Sequence, residues 1–315
     1  IEGEFDSFET GYNSVGVQPI GWKGSNVKQK VGLSVSKQMI FEDTGHSNKS
    51  VKMVNNWVGV FGIGSNAPAY ITLGNPWVYA TMTINEADGG TYGGLKFNYR
   101  PDALKGFIKR QLGSEKNEIA QVLVYSWKGT TSIKKTVSSS DGKNTETELI
   151  DRERDILSNQ LGTNEGDIKS EDFELISYGE YQVSKDENIT DWTEITIPIE
   201  YFSNNIPEKL NVIISSSDYF NRGNIGKDNT LWADNFKFIY YSELASLNYD
   251  GKNYFQAGTT AYSIDAVYDK NKLTYTSNGK GATIETSYNE DEALLTITVK
   301  GNDVNINPEN VHIYT

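Results

Sequence analysis

The chain reads as an all-β protein in two domains, built from sandwiches or barrels. Short runs of Thr, Val, Ile and Tyr alternate with polar residues and are separated by Gly, Asn and Asp, while long apolar helical patterns are missing. The apolar material is weighted to aromatics, with 19 Tyr, 12 Phe and 6 Trp in a hydrophobic content of 37%. A length of 315 residues exceeds one ordinary small domain, which makes two the default.

The elements follow in order. Phe5, Phe8 and Tyr12 supply side chains for a core or a site, and Glu9 followed by Gly11 suggests an early strand leading into a loop around Pro19 and Gly21. Ser50–Val60 and Val78–Ile84 are the next strands. In Leu95–Arg100, Leu95, Phe97 and Tyr99 alternate with Lys96, Asn98 and Arg100, and Pro101 ends the strand because it lacks the ladder N–H. The following DALKGFIKR reads as a loop or a turn of helix carrying cations. Ala120–Trp127 is apolar on both faces, the mark of a central strand covered on both sides. Residues 129–185 form a polar excursion, either a lid or site wall or, the preferred reading, a tolerated surface insertion, with a helix expected over Thr147–Leu161 and Gly162 as its C-cap. Ile195, Ile197, Ile199 and Tyr201 share a face; Leu210–Ser217 is a buried strand ending in serines; Trp232, Asp234, Phe236, Phe238 and Tyr240 share a face. Beyond Tyr241 there is no Trp, and runs at Ala261–Tyr268, Leu273–Ser277, Ala282–Ser287, Ala293–Val299 and Val311–Tyr314 have the spacing of a small immunoglobulin-like sandwich. The boundary falls near Tyr241–Leu244, giving domains 1–242 and 243–315.

A net charge of −13 argues against nucleic acid and against an anionic membrane surface as partners. Residues 243–315 hold ten acids and five lysines, so neither part is a basic arm. With no cysteine, disulfides and thiolate metal sites are excluded. No segment is apolar enough to span a bilayer as a helix. The opening IEGEF shows neither initiator Met nor signal peptide, and a trimmed or mature form is expected.

Glycoside hydrolysis needs two carboxylates about 5 to 10 Å apart. Acids are abundant, but none has a diagnostic spacing. Asp234 stands out because alternation places it in an apolar row, where a carboxylate needs a partner. That partner is either calcium, with Glu9 as co-ligand, or an Arg, Lys or backbone group. His46 and His312 are the only histidines and lie in different expected domains, which disfavours a Ser-His-Asp triad or a His-based zinc site. Ser215–Ser217 lacks a nucleophile elbow, and GVFGIGS lacks the lysine and helix of a phosphate loop. Sugar binding needs flat aromatic faces beside hydrogen-bonding groups, and Trp22 near Asn26, Trp57 beside Asn55 and Asn56, and Tyr99 beside Asn98 and Arg100 meet that need.

Four stretches, FDSFE…PIGWKGSN, LKFNYRPDALKGF, LNVIISSSDYFNRG and GKDNTLWADNFKFIY, occur together in order. In this the chain resembles the putative carbohydrate metabolism domain of gut Bacteroidetes over residues 1–242. The most specific element is Arg100, Pro101, Lys105, Gly106 and Phe107; Phe8 and the pair Asp234-Asn235 depart from the pattern. The resemblance implies a β-jelly-roll sandwich similar to carbohydrate-binding modules and jelly-roll glycoside hydrolases. Residues 243–315 are similar to the immunoglobulin-like modules attached to surface glycan proteins. It implies export to the periplasm or outer-membrane surface, lipid-anchored in the precursor, among other glycan-uptake proteins. The expected site has Arg100 and Lys105 as donors, Trp22 as stacking platform, and Asn26, Ser216 and Asp218 as polar lining. No cofactor is expected to be required, and a structural calcium could be held by Glu9 and Asp234. The leading function is glycan binding. The alternatives are a glycoside hydrolase-like enzyme and a structural or adhesin surface protein.

Overall fold

In the computed structural model, all residues are described except 82–86, 114–117, 162–171 and 222–224. The chain is all-β and forms two compact units: Ile1–Asn98 with Leu104–Lys237, and Tyr99–Ala103 with Phe238–Thr315. Among the described residues, helix is confined to Glu153–Ile156, Ser158–Leu161 and a 3-10 turn at Lys270–Lys272.

The larger unit is a sandwich of two antiparallel sheets. One has seven strands, in the order Glu200–Tyr201, Phe173–Val183, Ala120–Gly129, Lys209–Ser215, Tyr70–Thr72 and Lys23–Gly24, with Leu95–Lys96 also pairing Lys209–Ser215. The other has five, in the order Ile189–Pro198, Ala103–Gln111, Thr230–Ile239, Lys49–Val54 and Ile40–Thr44. The sheets face each other: a Cβ placed on Gly179 of the first would meet Val124 of its own sheet and Ile197 of the other, and one on Gly24 would meet Ile40. On its far side the seven-stranded sheet is roofed. Ile156, Leu157 and Tyr219 pack on Leu123, Tyr125, Trp127 and Ile213. Ala120–Gly129 is thus buried on both faces, as its composition predicts. The five-stranded sheet keeps its other face open.

Several elements differ from expectation. All of DALKGFIKR after Asp102 lies in the strand Ala103–Gln111, and none of it is helix. Leu104, Gly106, Ile108 and Arg110 turn inward, and Lys105, Phe107 and Lys109 outward, so the strand alternates once Gly and Arg are allowed inside. The strand expected over Leu95–Arg100 stops at Lys96. The Thr147–Leu161 helix is instead the strand Asn144–Ile150, paired with Ser132–Ser138, then the two short helical turns. Gly162 and the last three residues of the expected strand Val78–Ile84 lie outside the described residues. The excursion also contributes Phe173–Val183, paired with the central strand along its whole length. In Thr230–Ile239 the shared face breaks at Asn235, which sits at φ 53. Leu231 and Ala233 are fully buried and Trp232 is half-buried before that residue, and Phe236 is buried after it. A left-handed residue inserts a bulge and swaps the faces.

The smaller unit pairs Leu244–Tyr249 with Lys252–Asn253 and Leu273–Ser277, and Leu294–Lys300 with Thr283–Asn289 and Val311–Tyr314. Its core is Leu244, Leu247, Ile297, Val299 and Tyr314. Ala261–Tyr268 forms no strand.

Candidate functional site

The open face of the five-stranded sheet places aromatics and cations in one row across the strands. Trp232 stands directly opposite Lys52, and Lys52 opposite Phe41. The Lys52 ammonium lies 5.2 Å from the centre of a Trp232 ring. From the strand on the other side, Lys109 lies 5.2 Å from Trp232 and 4.9 Å from Trp192. The row therefore reads Trp192, Lys109, Trp232, Lys52, Phe41, each from the next strand in the sheet. These distances are those of cation–π contacts, which fix long side chains that would otherwise be mobile. Beside the row, Lys105 pairs with Glu194 at 2.8 Å, and Phe107 stacks on His46 with ring centres 3.9 Å apart.

Two carboxylates anchor this face. The Trp232 indole N–H donates to Asp43 Oδ2 at 2.9 Å, and Lys52 lies 3.4 Å from the same oxygen. Burial pushes the Asp43 pKa up, but the Trp232 indole, the Thr44 N–H and Lys52 outweigh it and hold it below the ordinary value. Asp234 is buried and accepts from the N–H groups of His46 at 2.7 Å, Ser47 at 3.4 Å and Asn235 at 2.8 Å. Burial outweighs those hydrogen bonds and raises its pKa. Asp234 thus holds the turn that carries His46 onto Phe107, and its partner is backbone.

The residues expected to form the site are dispersed. Trp22 is 1% exposed, its N–H given to the Glu2 carbonyl and its ring packed edge-on against Phe5, so it offers no stacking surface. Asn26 is buried: its amide N–H donates to Val15 and Val17, and its oxygen accepts from Met39 and Ile40, pinning strand ends together. Ser216 is buried against Asn55 and the Ala69 carbonyl. Asp218 caps a turn by accepting from Phe220 and Asn221. Arg100 belongs to the smaller unit, where its N–H donates to Asn302 Oδ1 and the residue is nearly buried. Lys105 alone stands on the open face. Glu9 accepts from Gln18, and among the described residues no group of three or more His, Cys, Asp or Glu is gathered to hold a metal.

Local pattern does not gather Trp192, Trp232, Lys52 and Lys109 into one site, because they lie on separate strands. In the sequence Lys109 and Arg110 are adjacent cations of one segment expected to be a loop or a turn of helix. In the fold Arg110 is buried, donating to the Ser184 carbonyl at 2.8 Å, and Lys109 lies between two indoles. The available signal was alternation: Lys105, Phe107 and Lys109 share one face of a strand once that segment is taken as a strand.

The larger unit is thus an all-β sandwich with one roofed sheet and one open sheet carrying an aromatic and charged row. The chain belongs to the family described as the putative carbohydrate metabolism domain, matched over residues 3–239. Among solved structures it is similar to a putative glycoside hydrolase from Bacteroides vulgatus ATCC 8482, at 12% identity and a TM-score of 0.47, covering 75% of this chain and 96% of that one. It is also similar to one from Bacteroides thetaiotaomicron VPI-5482, at 18% identity and a TM-score of 0.43, covering 65% of this chain and 58% of that one. The chain thus spans less than two thirds of the latter protein's length. No curated protein matches the sequence.

Proposed function

We propose that the chain is a glycan-binding module of a polysaccharide-use system, exported to the periplasm or cell surface and anchored there by lipid in its precursor, alongside other glycan-uptake proteins. The observation that carries this reading is the row Trp192, Lys109, Trp232, Lys52, Phe41. Trp192 and Trp232 lie two strand spacings apart, about 10 Å, which is the span of a disaccharide. Indole surfaces meet the C–H faces of the sugar rings, and the ammonium and carboxylate groups between them meet hydroxyls. The half-buried state of every member keeps the platform rigid, which lowers the entropic cost of binding. Family membership supports a role in carbohydrate metabolism; binding by this face is the finer reading.

The test is a glycan array followed by calorimetry on the best ligand. Trp232→Ala and Trp192→Ala should each weaken binding about tenfold or more, near 1.4 kcal/mol, with the melting temperature little changed for Trp192→Ala. Undiminished binding in both variants moves the site elsewhere. Repeating the titration in EDTA settles whether calcium takes part. Release of reducing ends from the bound polysaccharide would make the chain a glycoside hydrolase.

A further inference from the structure

A second surface of the larger unit has a different chemistry. The hairpins Val27–Val31 with Leu33–Lys37, Asn56–Val60 with Ile63–Ala67, and Asn75–Tyr79 with Asp88–Tyr92 enclose a groove of about 510 Å³. Its walls are apolar, with Val27, Val35, Val58, Val60, Trp77 and Tyr79 among them. Asp88, the one carboxylate among the described lining residues, is paired with Arg154 at 3.3 Å. Such a lining offers little to sugar hydroxyls and much to a hydrocarbon chain.

The tips of two of these hairpins present apolar side chains to solvent. Phe61 and Gly62 link Val60 to Ile63, at φ 51 and φ 78. A two-residue turn with both residues left-handed favours Asn, Asp or Gly, and a bulky residue there is strained. Yet the position holds Phe61, whose side chain is 89% exposed and so gains nothing from packing within the chain. A strained apolar ring offered to solvent points to a partner outside the chain. In the hairpin packed against it, Gly32 at φ 72 turns the chain into Leu33, which is also exposed, as is Ile63.

Charge names the partner. Residues 10–85 contain six lysines and only two acids, Glu42 and Asp43, a net of +4 within a chain of −13. Lys28, Lys30 and Lys37 all lie on the hairpin tipped by Leu33, and among the described residues none of them is ion-paired. In the register of that hairpin Lys30, Lys28 and Lys37 stand one, three and four residues up the strands from Leu33, about 3 to 13 Å, a range that spans the depth of about 5 to 10 Å to which an apolar face is buried in interfacial binding.

We propose that this surface docks the chain onto an anionic lipid bilayer. Phe61, Leu33 and Ile63 enter the acyl boundary, the groove behind them takes an acyl chain, and Lys28, Lys30 and Lys37 meet headgroup phosphates. The net charge of −13 is an average over the chain, and this stretch departs from it.

The experiment is sedimentation of the full chain with vesicles, either of phosphatidylcholine alone or of an equimolar mixture with phosphatidylglycerol. Binding should be at least tenfold tighter to the mixed vesicles and should weaken as salt is raised. Phe61→Asn suits the turn, so it should leave the melting temperature unchanged or higher while cutting vesicle binding at least tenfold; Leu33→Ser should also cut it. Lys28→Gln with Lys30→Gln should abolish the preference for the anionic mixture. Failure of the wild-type chain to sediment, binding indifferent to Phe61→Asn, or displacement by the array-selected glycan would each overturn the proposal. Glycan titration of Phe61→Asn should match wild type, so the two surfaces stand or fall separately.

Discussion

At the scale of single residues, the open face holds two carboxylates whose environments pull in opposite directions. Asp234 has its pKa raised above the ordinary 3.8 by burial. Its contribution to stability is therefore fully present below that value and is lost as pH rises through the folded-state pKa. Asp43 has its pKa lowered by Trp232, Thr44 and Lys52, so its contribution is present above 3.8 and is lost as pH falls through the lower folded value. The stability of wild type minus that of Asp234→Asn should accordingly shrink as pH rises above 3.8, as measured by urea unfolding at a series of pH values. A difference that grows with pH would mean that the backbone donors of His46, Ser47 and Asn235 outweigh burial. Trp22 and Asn26 illustrate what a residue type alone leaves undecided. An aromatic beside an amide fits a sugar platform, and it fits a buried ring beside a group that bonds four backbone atoms. Position in the fold separates the two, and nothing local in the chain does.

At the scale of elements, Gly106 shows why the strand Ala103–Gln111 resisted recognition. A Cβ there would lie 2.5 Å from the Phe236 ring, so the inward row must open at that point to admit the ring from the neighbouring strand. Gly106→Ala should cost about 1–3 kcal/mol, the usual penalty of overpacking a filled core, read as a fall in the denaturation midpoint. Glycine and a buried arginine in the same inward row masked the period, and with it the row of Lys105, Phe107 and Lys109. Where the apolar pattern runs unbroken, on both faces in Ala120–Gly129 and alternating in Leu294–Lys300, the strand is legible with its burial. Where a left-handed residue intervened, as at Asn235, the strand was legible and its faces were not. The candidate site needed five strands laid side by side, and pairing order is a long-range property that local pattern does not carry.

At the scale of the whole molecule, the pentapeptide Tyr99–Ala103 groups with the C-terminal residues and not with the segments on either side of it. Asp102 accepts there from the N–H groups of Lys280 and Tyr241, and Arg100 donates to Asn302. A fragment of 243–315 lacks these contacts. It should melt well below the same unit in the full chain, or fail to fold, since hydrogen bonds to a charged group are worth about 1.5–3 kcal/mol each; circular dichroism on heating reads this directly, and an equal melting point would show the pentapeptide to be dispensable. During synthesis, Tyr99–Ala103 leaves the ribosome well before its partners from Phe238 onward exist. At about 5–20 residues per second the wait is of the order of ten seconds. The larger sandwich must therefore close around two strands, Ala103–Gln111 and Thr230–Ile239, that each extend into the unit made last, so the order of translation and the order of assembly cannot coincide.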